Sequence, residues 1–463
     1  MPEANARAPK GPPAVLSVGL EFLRALGSVA LFPIRLAGYL YRREALRKEL
    51  LGDLISAPGD PTAAPAPGPM QRLGRAPRVF ISCAEPSGET HALNALAALR
   101  SRCVELGLGE PVVTGLGGER LRRAGVQTVD DPVRRAAMGF SAVLGSLPFY
   151  LRLLVRVAGH LRRERPDVCL MIDSPALHVP LGRIARRAGV GVVHFVAPQH
   201  WGWAPWRVGS YRSAVDRVLT ILPFEQAWFA RRGVPTVHVG HPLQDALAQT
   251  LPGPTDENSR RLALLPGSRR KVIDINLPWM LARAAELRVE YPDLEVVLPH
   301  GREELRAHLE AHIAAAGASQ WAVVETGDFH GSLHGSRAAL SVSGTVLLDL
   351  LHQMLPTVVV YRVSGAGGPW MYANLLTPPW FASINLLAGR EVVPEYCFAG
   401  EGPLIEVRSA LGRAYGDSAW REQCRAGLAE AALRLGPPGA CARVADEVLG
   451  LAAQRIGYKG PHP

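Results

Sequence analysis

Ser343, Gly344 and Thr345 stand between an apolar run, AALSV, and a helix-like run, VLLDLLHQ. Glycine lets backbone approach a ligand closely, and the exposed N–H groups at a helix start favour a diphosphate. Thr345 adds a hydroxyl, and Asp349, four residues on, adds a carboxylate that suits ribose hydroxyls. The same residues also read as a serine cap with an ordinary first-turn acid. A second loop, in LALLPGSRRK, sets Gly267, Ser268 and Arg269 between a strand and a helix. A guanidinium fork there matches phosphate oxygens. Two such loops in one domain point to a nucleotide. Neither has GxGxxG or GxxxxGK spacing, so dinucleotide and ATP P-loop readings find little support.

A different set lies upstream. AEPSGETHA (84–92) carries Glu85, Ser87, Gly88, Glu89 and His91 in a strand-to-helix loop, and GLGGERL (115–121) is a Gly-rich turn. Asp173, in MIDSP, follows an apolar strand and so stands at its carboxyl end. A carboxylate there serves either as a general base or as a cap on the turn before Pro175, and spacing does not choose between them. APQHWGWAPW (197–206) clusters three tryptophans with Gln199 and His200; the rings suit a sugar face, an acyl chain or plain core packing. His308/His312 and His330/His334 have i, i+4 spacing without an obvious third ligand, so no metal is expected. No acidic pair in a strand-end loop suggests a metal-held diphosphate. The six cysteines form no CxxC pair, which argues against zinc and fits a reducing cytoplasm. Cys83 and Cys169 lie in apolar runs and read as buried thiols.

These loops need a scaffold. From Arg78 onward, apolar strands (78–82, 112–117, 168–172, 192–197, 217–222, 234–240) alternate with helices rich in Ala, Leu and Arg. After a polar break at 252–261 the pattern restarts (262–267, 294–299, 321–326, 338–343, 356–363). Continuous apolar strands alternating with helices mean doubly wound parallel sheets, α/β in class, with ligands at strand ends. The expected organisation is an N-terminal extension at 1–75, an α/β domain at 76–250, a second at 258–445 with a cleft between them, and a tail at 446–463. The 463 residues exceed one ordinary core, and 48% hydrophobic with 20% charged residues excludes a disordered chain.

In the extension, residues 14–32 form an apolar helix with one polar stripe, Ser17, Glu21, Arg24 and Ser28. Its longest uncharged stretch, Ala25 to Ile34, is short of a bilayer span, and charges interrupt any signal-peptide core. The helix lies in a membrane interface, helped by Arg42, Arg43, Arg47 and Lys48, or packs on the protein body. Residues 57–70 read as a stiff linker. A net charge of +10 suits a phospholipid surface, a phosphorylated substrate or nucleic acid, or only reflects Arg-rich helix faces. Nothing resembles a nucleic-acid module.

Taken in order, AEPSGETHA, GLGGERLRRAG, AAMGF (136–140), MIDSP, VAPQHWGW, LPFEQAWFARRGVPTVHVGHPL (222–243), LPGSRR (265–270), SGTVLLDLL and INLLAGREVVPE (384–395) resemble the lipid-A-disaccharide synthase family. The resemblance runs from about 78 to about 400 and omits 1–75. It implies a GT-B fold of two Rossmann-like domains. It implies inverting transfer of 2,3-diacylglucosamine from UDP to 2,3-diacylglucosamine 1-phosphate, giving a β-1,6 disaccharide and UDP. No cofactor or catalytic metal is implied, and the location is the cytoplasmic face of the inner membrane. Carried over by motif, Arg269, Ser343, Gly344 and Thr345 contact diphosphate and Asp349 the ribose, Asn385 and Arg390 sit near the donor, and Gly267 and Ser268 complete the UDP-binding set. Asp173 is the base, and Glu85, Ser87, Gly88, Glu89, His91, Gln199 and Trp201 line the acceptor side. The sequence departs from the family at Asp349 (usually Glu), at Glu89 (usually Asp), and at Pro175-Ala176-Leu177-His178 (commonly Pro-Asp-Phe-Asn). Rival readings are another UDP-sugar transferase or epimerase of this fold, and a non-catalytic nucleotide- or lipid-binding relative. Neither acyl-chain length nor oligomeric state is legible.

Overall fold

The computed structural model describes residues 12–57, 73–136, 143–248, 258–363, 365 and 367–457. The expected linker, most of AAMGF and most of the polar break lie outside them. The chain divides into two compact units: Met1–Arg42 with Asp60–Asp245 and Pro437–Pro463, and Arg43–Gly59 with Ala246–Gly436.

The first unit holds β1 (Arg78–Ser82), β2 (Val112–Leu116), β3 (Gln127–Asp130), β4 (Val168–Ile172), β5 (Gly191–Phe195), β6 (Arg217–Thr220) and β7 (Thr236–His238). Their order is β3-β2-β1-β4-β5-β6-β7, parallel throughout. Every residue of β4 and β5 is buried, which is why VCLMI and GVVHF read as unbroken apolar runs. The second unit holds β8 (Arg261–Leu265), β9 (Glu295–His300), β10 (Ala322–Thr326), β11 (Ala338–Val342), β12 (Thr357–Val363) and β13 (Glu395–Ala399). Their order is β10-β9-β8-β11-β12-β13, again parallel. The strands that sequence did not reveal, β3 and β13, are edge strands. They are mostly half-buried and lack a continuous apolar run.

In each sheet the chain winds outward from one inner strand and then returns to that strand's other side. The reversals fall between β1 and β4 and between β8 and β11. Loops leaving adjacent strands part in opposite directions there and open a crevice at the carboxyl ends. Asp173 and the 84–92 loop belong to the first reversal. The 267–269 and 343–345 loops belong to the second.

The boundary expected at 445 is corrected. The helix Ala440–Gly457 returns to the first unit, where Val444, Val448 and Leu449 join one buried cluster with Leu96, Leu99 and Ile172. An apolar stripe this long covers a sheet face rather than trailing as a tail. The Asp245 carboxylate caps its start, accepting from Gly439, Ala440 and Cys441 N–H at 2.5–3.0 Å. The extension also divides. It forms α1 (Ala14–Ala30) and α2 (Phe32–Ser56). Fully buried Leu50 and Leu54 seat the end of α2 in the second unit, where Arg434 donates to the Leu54 carbonyl at 3.0 Å. Among the described residues no single helix is long and apolar enough to cross a membrane.

Candidate active site

In the second unit the loops after β8, β9 and β11 border a cavity of about 760 Å³. Gly267, Ser268, Arg269, Ser343, Gly344, Thr345 and Asp349 all line it. Gly267 is demanded by its turn: φ is +111°, and a Cβ would lie 2.6 Å from Val272 Cγ1. Gly344 serves differently. Nothing stands within 4 Å of where its Cβ would be, so bare backbone faces the cavity. Ser343 Oγ donates to the Phe381 carbonyl at 3.3 Å, which fixes that loop. Asp349 Oδ1 lies 3.0 Å from His330 Nε2. Burial raises the Asp349 carboxyl above its ordinary range, with His330 acting against that.

The loop after β9 adds His300, Gly301 and Arg302 to the lining. Sequence reasoning missed these residues. The signal is present in the sequence, because residues 294–299 read as a strand whose carboxyl end must open beside that of β8. The Arg302 N–H donates to His300 Nδ1 at 3.1 Å, and burial lowers the His300 imidazole, so it is neutral with its proton on Nε2. The cavity lining therefore includes three arginines, Arg269, Arg302 and Arg362, and one acid, with Arg362 already donating to the Ile275 and Gly400 carbonyls at 2.7 and 2.8 Å. That charge pattern suits a diphosphate joined to a diol.

Two predicted donor residues do not line this cavity. Asn385 is fully buried, and its amide is used by its own neighbourhood. Nδ2 donates to the Val393 carbonyl at 2.8 Å and Glu395 Oε2 at 3.1 Å, while Oδ1 accepts from Val392 and Val393 N–H at 2.8 and 3.0 Å. It ties the NLLAGREVVPE turn together. Arg390 pairs with Glu430 at 2.7 Å on a half-exposed surface.

In the first unit, Asp173 and Ser174 both take left-handed backbone, with φ of +55° and +45°. Ser174, not Asp173, occupies the N-cap of the helix Pro175–Arg187. Left-handed L-residues cost about 1–2 kcal/mol each. Two buried histidines hold the turn by donating to the Asp173 carbonyl: His178 Nδ1 at 2.6 Å and His194 Nε2 at 2.9 Å. A carbonyl only accepts, so those nitrogens carry the protons. His178 Nε2 then accepts from the Ser82 hydroxyl at 2.8 Å, and His194 Nδ1 from the Tyr211 hydroxyl at 2.6 Å. Burial pushes His178 down to about 3 and also lowers His194, so both remain neutral donors. His178 stands at one of the departures from the family pattern, and its role was not legible without the fold.

His91, on the first turns of the helix Pro86–Glu105, is the ionisable neighbour. Burial lowers its imidazole and the Asp173 charge pulls it back. Its Nδ1 is buried without a partner among the described residues. Glu85 and Ser87 border the same loop, and Gly88 packs 3.4 Å, measured from an added Cβ, against Cys83.

Other acceptor-side expectations are corrected. Glu89 is buried, with Oε1 accepting from Leu121 N–H at 3.1 Å, and it braces the Gly117–Gly118 turn. Trp201 is core. Its Nε1 donates to Glu225 Oε1 at 3.0 Å, and its ring meets Phe224 edge-on at 4.9 Å. Burial raises Glu225 to about 7, and its other oxygen accepts from Ile221 and Leu222 N–H. The HWGW and LPFE motifs thus form one structural knot. Gln199 is exposed, and its carbonyl accepts from Gly202 N–H at 3.0 Å.

His308 and His312 do have a third neighbour: Asp274 Oδ1, at 2.8 and 3.0 Å from their Nε2 atoms. The three ligand atoms lie within 4.8 Å of one another, a set that can hold a metal ion. Sequence spacing could not show it, because Asp274 comes from a different helix, Arg270–Glu290. His330 pairs with Asp349 instead. Cys83 and Cys169 are buried free thiols.

Comparison with known proteins identifies the family and the fold. A family model described as lipid-A-disaccharide synthetase matches residues 79–406. A lipid-A-disaccharide synthase of Myxococcus xanthus is 35% identical over 390 residues, covering 81% of this chain and 97% of the relative. One from Geobacter sulfurreducens is 32% identical, covering 82% and 98%. Among solved structures, the S. aureus MnaA–UDP complex superposes with a TM-score of 0.52 at 15% identity, covering 79% of this chain and 94% of that one. A UDP-N-acetylglucosamine 2-epimerase gives 0.50 at 14% identity, covering 84% and 98%. These likenesses show the fold, two parallel-sheet Rossmann-like halves of GT-B type.

Proposed function

The chain belongs to the lipid-A-disaccharide synthase family, and on that premise we propose how its two units divide the reaction. It is a glycosyltransferase of lipid A synthesis. The second unit takes the UDP of a UDP-2,3-diacylglucosamine donor, with Arg269 and Arg302 on the diphosphate, Gly344 offering bare backbone, and Asp349 on the ribose. The first unit takes 2,3-diacylglucosamine 1-phosphate. The Asp173 carboxylate accepts the proton of its 6-hydroxyl, and that oxygen attacks C1 of the donor sugar from the face opposite UDP. The C1–oxygen bond to UDP breaks as the new bond forms, so the configuration inverts and UDP leaves with the electron pair. Charge growing on the leaving phosphate is held by the two guanidinium groups.

The observation that carries this reading is the convergence of seven expected residues on one cavity at the β8/β11 reversal. His178 and His194 are positioning residues. They fix the backbone that aims Asp173 and stay neutral, so they do not compete for its proton. Both proposed substrates are acylated, which supports a peripheral enzyme at a membrane surface, the cytoplasmic face of the inner membrane in this reading. The test is turnover with defined substrates. Disaccharide and UDP must appear in equal amounts and only when both substrates are present. UDP without disaccharide, or epimerised donor, would instead favour a hydrolase or an epimerase.

A further inference from the structure

The structure assigns a lipid-docking platform to α1 and the start of α2, segments outside the family match. The platform is an amphipathic helix mounted inside out. A helix on a water-facing surface buries its apolar stripe and exposes its polar one. Here Ser17 and Glu21, from the polar stripe, are each 4% exposed, whereas Val15, Leu16, Leu23, Leu26, Val29 and Ile34 are each more than half exposed.

The polar side is the mount. Glu21 Oε2 meets Arg183 at 2.6 Å, and Oε1 meets Arg187 at 2.8 Å and Arg24 at 2.9 Å. Arg187 also donates to the Ser17 carbonyl at 3.2 Å, and Arg162 to the Pro12 carbonyl at 2.6 Å. A buried, hydrogen-bonded carboxylate with several arginines fixes orientation, because any rotation of α1 would strand its charge. Aromatic packing seats α2 as well, with Trp206 5.5 Å from Tyr39 and 6.2 Å from Phe32.

The outward side fits a bilayer surface. Its apolar row continues across the junction of α1 and α2 through Leu31 and Phe32. Tyr41 and Trp203 are exposed beside it, the ring types that favour a headgroup boundary. Arg35, Arg42, Arg47 and Lys48 follow along α2, with Glu44 the one acid among residues 32–48, while Arg43 turns inward to the Ala373 and Leu376 carbonyls at 2.6 and 2.9 Å. A second copy offering the same face would set these cations against each other, whereas anionic headgroups complement them. The 54° bend between α1 and α2 lays the apolar row along a surface. This assignment rests on the proposed acylated substrates for its choice of a bilayer over a protein partner.

The experiment is flotation of the full chain with vesicles of phosphatidylethanolamine and phosphatidylglycerol, compared with the double variant Leu23→Glu/Leu26→Glu. Both side chains face outward, so thermal stability and UDP affinity stay unchanged. The lipid needed for half-binding rises roughly tenfold or more. Equal flotation of both proteins overturns the assignment. So does failure of the wild type to float while the variant alters its mass in light scattering, which marks a self-association face. Turnover on detergent-dispersed substrates is measured alongside. Its absence in the wild type would sink the enzymatic reading while leaving flotation to judge the platform.

Discussion

Lowering the pH from 7 to 5.5 should loosen the first unit well before any carboxylate is protonated in the usual range. Burial pushes His178 and His200 down to about 3, and His238 and His241 to about 4. All four belong to the first unit. In the unfolded chain each titrates near 6.5. A histidine with a depressed folded value contributes stability that is complete above 6.5 and is lost as pH falls below it. Over this interval the unfolded state gains most of one proton per histidine, which favours it by roughly 1 kcal/mol each, or roughly 4–5 kcal/mol in all. Glu225 acts the other way. Raised to about 7, it takes up its proton in the folded state across the same interval and offsets about 2 kcal/mol. The net loss is about 3 kcal/mol, a large part of a typical domain's stability. Hydrogen exchange of the β4 and β5 amides reports this unit by itself, and their opening free energy should fall by that amount. His200→Gln should recover about 1 kcal/mol of it, since one titrating group is gone. Protection that is flat or stronger at pH 5.5 would refute the reasoning.

Other perturbations separate binding from architecture. Arg269→Ala removes a charge-assisted contact and should raise the UDP Kd by roughly tenfold or more, read by calorimetry; an unchanged Kd removes that loop from the nucleotide site. Gly267→Ala forces a Cβ against Val272 at a positive φ and should cost about 1–3 kcal/mol in urea unfolding, together with UDP affinity. Asn385→Ala strands the Val392 and Val393 N–H groups and should cost about 2–4 kcal/mol. UDP affinity measured below its unfolding transition should be retained, and a selective loss of affinity would return Asn385 to the donor site.

The scaffold was legible where both faces of a strand are buried. VCLMI and AALSV announce inner strands, and the loops that follow them carry Asp173 and Ser343–Thr345. Residues of one short loop travel together, so spacing alone was enough to place them at a strand end. What sequence could not supply was direction. Trp201 reads equally as a binding ring or as core until the fold turns it toward Glu225. Asn385 sits in a recognisable motif of the second unit, and four hydrogen bonds to its own turn give it a structural task that the motif did not reveal. His178 and His194 are far apart in sequence and meet only at the Asp173 carbonyl. The polar stripe of α1 was visible, but not its direction: its first half, Ser17 and Glu21, faces the protein body, while Arg24 and Ser28 stay exposed. A periodicity fixes which residues share a face and leaves open what that face meets.

The division of labour between the units is tested most directly by Asp173→Asn, measured for kcat and for UDP binding on the same preparation. The amide keeps the size of the side chain, and the carbonyl that His178 and His194 hold is untouched. Loss of the proton acceptor should lower kcat at least roughly a hundredfold, while the UDP Kd stays within error of the wild type. A variant that turns over normally would show that some other group receives the proton, and one that fails to bind UDP would show that the two tasks are not split between the units.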